Sequence, residues 1–404
     1  MLLWEENLKK WIRKNSLLFG YIAAAALGIF LRVSYLPMLS ADLKFINTAW
    51  FEGIKAEGMS AVLNPQLQFN YTPMHLYLWA FAAKLFGALD TTIALKIVCL
   101  GAEAVLLAGC MLIICQLTSQ RFYRFAGFTA LALNPVLLWN VAGWGQMDAT
   151  FAGLSILAVW LLLKEKPQWG LAALGVALAF KMQAAFILPL FMYAWFHNPK
   201  KFSIFWFLLV PGLWIVSGFP MVMIGASPLY AVQTYLGQTG LYSEVTYNYP
   251  NIYAIMGQAI GQNSMVDGMI SRTGMAMAIA LFGGLAVWMM QQRILLKDHS
   301  LIVLLGAWCV ITAVFFLPRM HERYAIVGEL LLLCWAVWLA KPRGIIYVIL
   351  SILPVLSAYS EYLLSKPFFS LQFGGAINLV LVCALTWELV QSLRAQPSEF
   401  QKSE

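Results

Sequence analysis

Polarity along this chain changes on the scale of whole helices. Long apolar runs are separated by short polar or basic breaks. The runs are Leu17–Tyr35, Thr92–Gln116, Phe125–Val141, Ala149–Leu163, Trp169–Phe180, Ala184–Phe196, Phe202–Ile224, Thr273–Met290, Leu301–Leu317, Ala325–Ala340, Gly344–Tyr359 and Ala376–Val390. A helix rises 1.5 Å per residue, so about 20 apolar residues cross a ~30 Å hydrocarbon core. An outer-membrane barrel would instead alternate residue by residue. The pattern predicts an all-α polytopic membrane protein with about 12 transmembrane helices. The runs at 169–180 and 184–196 are short and predict tilted or broken helices.

The basic breaks orient the bundle. Lys9, Lys10, Arg13 and Lys14 precede the first run. Arg121 with Arg124, Lys164 with Lys166, Lys200 with Lys201, Arg293 with Lys297, and Lys341 with Arg343 fall at alternate breaks. Positive residues collect in short cytoplasmic loops. Residues 1–16 and 391–404 are therefore expected inside, and the segments 36–91 and 225–272 outside. This alternation requires Met74–Leu89, which contains Lys84, to lie along the outer surface as a juxtamembrane helix. The whole chain, 1–404, then reads as a single transmembrane domain, without a soluble domain or an internal repeat.

Composition agrees: 61% of residues are hydrophobic, 11% are charged, and mean hydropathy is +0.76. The net charge of +8 matters less than where it sits. All six Cys lie in apolar runs without metal-ligand spacing and read as packing residues. No Gly-rich phosphate loop, Ser-His-Asp spacing or metal site is evident, and no cofactor is expected.

Four polar clusters share the outer side in this topology. They are Asp42 with Asn70-Tyr71-Thr72, then Trp144-Gly145-Gln146-Met147-Asp148, then Lys181-Met182-Gln183, then Arg319-Met320-His321-Glu322-Arg323. Arg319, His321 and Arg323 bring three potential cations together, and guanidinium groups bind phosphate oxygens bidentately. Lys181 lies between apolar runs, so it faces a polar cavity or snorkels. Asp148 either caps the helix it starts or hydrogen-bonds a ligand. Glu103 and Glu329, inside spans, must pair or protonate; structural pairing is expected, with Lys96 or a backbone group as partner. His75 and His197 stand alone and carry no assigned role. Asn70-Tyr71-Thr72 matches a glycosylation sequon, which the following Pro73 weakens.

The order of these elements resembles the GT-C class of polyprenyl-phosphate-sugar-dependent glycosyltransferases. The resemblance runs over residues 17–325 and rests on Asp42, Asn70-Tyr71-Thr72-Pro73, Gly145-Gln146-Met147-Asp148, Phe180-Lys181-Met182-Gln183 and His321-Glu322-Arg323. This chain departs from the class pattern where Thr72 replaces a first proline and where Met182 splits Phe-Lys-Gln. Its first-loop acid is Ala41-Asp42-Leu43 where many relatives have Gly-Asp before an aromatic. Bacterial mannosyltransferase-like proteins look nearest, and ER enzymes extending lipid-linked oligosaccharides more distant. The resemblance implies a metal-independent, inverting hexosyl transfer from a polyprenyl-phosphate sugar to a lipid-linked glycan or cell-envelope polymer. It assigns Asp42 as base, Lys181, Arg319, His321 and Arg323 to the donor phosphate, and Asn70, Tyr71, Gln146, Asp148, Gln183 and Glu322 to sugar or acceptor. The implied setting is a bacterial plasma membrane with an extracytoplasmic site, or the ER membrane in a eukaryote. A flippase or transporter of lipid-linked sugars, or a polysaccharide polymerase or ligase, would use a similar outer site.

Overall fold

The apolar runs form helices because a chain in hydrocarbon has to satisfy its own backbone hydrogen bonds. In a computed structural model, residues 3–197, 202–240, 244–257, 264–294 and 296–396 are described. Among these the architecture is all-helical, with only isolated bridges between His321 and Tyr247–Asn248. Lys200, Lys201 and residues 397–404 of the expected tail lie outside the described residues.

Among the described residues, eight helices are long and apolar enough to cross a membrane: Ser16–Tyr35, Thr91–Leu117, Arg121–Trp144, Ile204–Val222, Val266–Gln291, His299–Phe316, Pro342–Leu364 and Leu371–Arg394. Four shorter apolar helices, Asp148–Leu163, Pro167–Phe180, Met182–His197 and Ile326–Leu339, coincide with the remaining runs. At ~1.5 Å per residue they fall short of the hydrocarbon thickness. Packing explains how they are tolerated. The His299–Phe316 helix is 94% buried, against 11% for Ser16–Tyr35. The short helices 148–163 and 326–339 pack beside it and beside the 91–117 helix. A helix apolar all round belongs inside a bundle, and these form its centre.

The segment 36–91, expected outside, is not an open loop. It continues as a π-helical turn Leu43–Asn47, a helix Thr48–Glu57 and a 3₁₀ segment Gly58–Leu63. Helix Pro73–Phe86 follows, starting with Pro at its first turn, where a missing N–H costs nothing. The second segment, 225–272, also differs from expectation. Helix Tyr230–Gly240 occupies part of it, and the next long helix starts at Ser264, well before Thr273.

Helices 167–180 and 182–197 form a hairpin. Phe191 lies against Gly170, and a single extended residue, Lys181, breaks the chain between them. Lys181 therefore sits at the hairpin tip, and Lys164 and Lys166 sit at the opposite end of the bundle. The basic breaks and the polar clusters thus occupy opposite ends.

Of the two acids inside spans, Glu103 is paired, whereas Glu329 is buried with its Oε1 lacking a hydrogen-bond partner among the described residues. Glu103 meets Arg32, not Lys96: Arg32 Nε and Nη2 donate to the two carboxylate oxygens at 2.8 and 2.5 Å. Lys96 has no exposed surface, and its ammonium donates to the carbonyls of Tyr35, Leu36, Met38 and Gly143 at 2.6–3.1 Å. Tyr35 ends the 16–35 helix and Leu36 and Met38 follow it, and carbonyls at a helix C-terminus lack intrahelical donors and attract a cation. Four cysteines are buried as expected, but Cys115 and Cys383 are exposed on the bundle surface.

The segregation of ends makes a prediction about sidedness. In a variant with Cys115 and Cys383 replaced by Ser, new thiols at Ser60 and Ser365 are expected to react with an impermeant maleimide in intact cells. A thiol at Lys166 is expected to react only after permeabilisation. Labelling of position 166 in intact cells, with 60 and 365 protected, would reverse the orientation.

Candidate functional site

Four segments distant in sequence meet at the end of the bundle away from the basic breaks. The turn 138–146 is the first. A π-helical stretch Leu138–Trp144 ends at Gly145, whose φ of +79° is costly for any residue with a Cβ. A Cβ there would also lie 3.3 Å from Leu43. The turn presents Trp144 and Gln146 to Asp42. Trp144 Nε1 and Gln146 Nε2 donate to Asp42 Oδ2 at 3.1 and 2.8 Å. Tyr362, from the 342–364 helix, donates to Oδ1 at 3.0 Å. Tyr362 also stacks on Trp144, with ring centroids 4.0 Å apart. Asp42 is half-buried and held by three donors, so it is not a freely solvated loop residue.

Asp148 is wholly buried and begins the 148–163 helix without capping it by its side chain. One carboxylate oxygen pairs with Lys181 Nζ. The other accepts from Asn140 Nδ2 at 2.9 Å and lies 3.6 Å from Arg323 Nε. Arg323 also donates to Glu322 at 2.8 Å and lies over the Trp144 ring, 4.7 Å from its centroid. Lys181 does not snorkel. It is held between Asp148 and the ring of Tyr324, 5.4 Å away. Two cations and two carboxylates thus interlock, because a buried charge without a partner is far more costly than a paired one.

A cleft of about 80 Å³ opens beside this network. Its lining includes Asn70, Tyr71, His75, Gln146, Lys181, Gln183, Tyr235 and Arg323. Of the residues singled out in the sequence, Asn70, Tyr71, Gln146, Lys181, Gln183 and Arg323 line it. Asp42 and Asp148 each bond directly to one of those, and Glu322 bonds to Arg323. Arg319 does not line it: it is exposed, with φ +63° and its N–H on the Val245 carbonyl at 2.7 Å.

His321 is not a third cation. Its ring stacks on Tyr247 at 5.1 Å. Burial first, then the charges of Arg323 and Lys181, push its pKa down to about 2. Burial also pushes the Glu322 carboxyl up, against the opposing pull of Arg323. His75, unassigned in the sequence, is buried and lines the cleft. Its pKa is pushed down to about 3 by burial and by Lys181. Burial and the nearby carboxylates of Asp42 and Asp148 raise the Tyr71 hydroxyl, which Arg323 opposes.

Residues 66–197 match the family model described as alpha-(1->6)-mannopyranosyltransferase, N-terminal domain. The match supports a mannosyltransferase-like glycosyltransferase. It takes in the 138–148 turn, the Lys181 hairpin and most of the cleft wall, and it leaves out Asp42 and the 319–323 segment. No curated protein matches the chain.

Sequence reasoning missed Tyr362, Asn140, Tyr324 and Tyr235, along with His75 and the bonding role of Trp144. Only His75 left a signal, as a histidine two residues beyond the Asn70-Tyr71-Thr72-Pro73 run.

The two neutral histidines set a pH dependence. Between the ordinary value of 6.5 and their depressed values, the unfolded chain binds protons that the folded chain does not. Folded stability therefore falls as pH drops below 6.5. Each histidine contributes a slope of up to ~1.4 kcal/mol per pH unit. The melting midpoint in detergent is expected to fall between pH 7 and 4.5, and less steeply for the double variant His75→Gln, His321→Gln. An equal fall in that variant would assign the acid sensitivity to other groups.

Proposed function

We propose that this protein is a membrane hexosyltransferase that moves mannose from a polyprenyl-phosphate donor to an acceptor hydroxyl on the extracytoplasmic face. The observation that carries this reading is Asp42, fixed by three donors and joined through Gln146 to a cleft bearing Lys181 and Arg323. The family match supports mannose as the sugar. The polyprenyl-phosphate donor rests on the resemblance to the GT-C class.

The chemistry follows from the charges. An ionised carboxylate has lone pairs beyond those occupied by Trp144, Gln146 and Tyr362. One of them takes the proton of the acceptor hydroxyl as its oxygen attacks the anomeric carbon. A new C–O bond forms on one face of the sugar. The bond to phosphate breaks on the other, and the electron pair leaves with the polyprenyl phosphate. Configuration inverts.

Lys181 and Arg323 face the developing phosphate charge in a desolvated site, where such contacts count for more than in water. Both cations are engaged with Asp148 and Glu322. Donor binding then exchanges part of those contacts for phosphate oxygens. Arg319, exposed and outside the cleft lining, meets the phosphate as the donor enters, and His321 stays beside Arg323 as a neutral ring. Fixed cations around a single phosphate remove the need for a metal. Asn70, Tyr71, Gln183 and Glu322 are left for sugar and acceptor. The lipid tail stays among the apolar helices of the bacterial plasma membrane, and the acceptor is a lipid-linked or polymeric envelope glycan.

Purified protein in nanodiscs with radiolabelled polyprenyl phosphate mannose tests the reading. Asp42→Asn is expected to lower turnover ~10²–10⁴-fold with donor binding retained. Near wild-type turnover would remove Asp42 as the base. Charge-assisted contacts are worth ~1.5–3 kcal/mol, so Lys181→Ala and Arg319→Ala are expected to weaken donor use roughly ten- to hundredfold. Lys44, exposed beside the Phe45 ring, is the control, and Lys44→Ala is expected to be neutral. Loss of donor dependence in Lys44→Ala alone would move the phosphate to the first outer segment. Translocation of labelled donor without transfer would favour the transporter alternative.

A further inference from the structure

The protons around Thr72 decide what His75 offers to the cleft. Thr72 Oγ1 donates to the Phe180 carbonyl at 2.8 Å. A carbonyl only accepts and a hydroxyl carries one proton, so that proton is committed. Thr72 Oγ1 also lies 3.0 Å from His75 Nδ1. With the hydroxyl proton spent, this second contact forms only if Nδ1 carries a hydrogen and donates it. The ring is held in place by the edge of Phe180, 5.3 Å between centroids at 89°, and by Tyr71 at 5.1 Å. The ring is neutral, since burial and Lys181 disfavour its charged form. A neutral imidazole with hydrogen on Nδ1 carries a bare lone pair on Nε2. Among the described residues no group donates to that nitrogen.

Gln183 lines the same cleft, and its buried Oε1 lacks a hydrogen-bond partner. His75 and Gln183 therefore offer two neutral acceptors in one small space. A fully ionised phosphate brings only acceptors and is repelled there. A hydroxyl brings the donor that each needs, and leaving either acceptor unmet costs its desolvation.

We propose that His75, with Gln183, is the hydroxyl-reading wall of the cleft, with Nε2 accepting a hydrogen bond from one hydroxyl of the transferred sugar. This rests on the transferase reading above and separates two regions within it. Lys181 and Arg323 serve phosphate, while His75 and Gln183 serve the hexose. Thr72 is a positioning residue that fixes the tautomer, and a histidine locked this way discriminates among sugars by one hydroxyl.

The test uses the full chain in nanodiscs. With only 4 His in the sequence, ¹⁵N-histidine labelling gives few signals, and His75→Gln assigns the one that matters. Nδ1 is expected to be protonated and Nε2 bare from pH 5 to 8, with both tautomers appearing in Thr72→Val. A hydrogen on Nε2, or an imidazolium in that range, would overturn the proposal. Equilibrium binding and initial rates are then measured with polyprenyl phosphate mannose and its monodeoxy analogues. His75→Gln is expected to weaken binding of the parent donor roughly tenfold, the scale of one hydrogen bond. For one deoxy analogue the variant and the wild type are expected to bind alike. An equal loss across all analogues would show that His75 reads no hydroxyl. Hydroxyl-dependent binding without any transfer would sink the transferase reading and leave the role of His75 standing. Absence of donor binding to the wild type would overturn both.

Discussion

Asp148 is a carboxylate without accessible surface at the polar end of a mostly apolar bundle, and that end is built around keeping it charged. An isolated buried carboxylate would protonate or unfold the site. Lys181, Arg323 and Asn140 prevent that, and each comes from a different element. The requirement fixes the hairpin tip, the 317–325 turn and the 138–146 turn relative to one another. The cleft is the space these three leave beside Asp42. Removing one partner of such a set costs ~3–5 kcal/mol, because the remaining charge is stranded.

A second constraint works one layer below. Lys96 gathers carbonyls from the end of the 16–35 helix and from Gly143. It ties the strand of chain leading to Asp42 to the turn that carries Trp144 and Gln146. The bond from Ser40 to the Trp144 carbonyl, at 2.9 Å, closes the same joint. The direction of the Asp42 side chain thus depends on a cation that does not touch it.

Much of this was legible in the sequence. Each of the twelve apolar runs overlaps a helix, since hydrophobic length is a property of one segment alone. The four polar clusters were visible because polar side chains stand out in apolar surroundings, and they do converge. What stayed hidden were partners. Arg32 reads as a basic residue near a helix end, and only the packing of two helices puts it on Glu103, 71 positions later. His321 looked cationic because its neighbours in sequence are, whereas burial beside two cations makes it neutral. His75 looked incidental because its meaning depends on where the Thr72 proton goes, which no spacing encodes. Tyr362 was invisible as a ligand of Asp42, since it lies 320 positions away in a helix whose own pattern is complete without it.

That last separation bears on how the protein is made. A membrane protein enters the bilayer from its N-terminus as it is synthesised, and Asp42 arrives before any of the groups that aim it. Two of its donors, on Trp144 and Gln146, follow within the first half of the chain. The third waits for the helix that carries Tyr362, and the same helix delivers the Tyr359 hydroxyl that accepts from Asn140 at 2.9 Å. A nascent chain still missing that helix has Asp42 and most of its cleft wall, yet that carboxylate lacks one of the three donors that aim it. The penultimate described helix thus works as a closing clasp, and a ribosome-bound intermediate short of it is an unfinished enzyme that has already met its lipid surroundings.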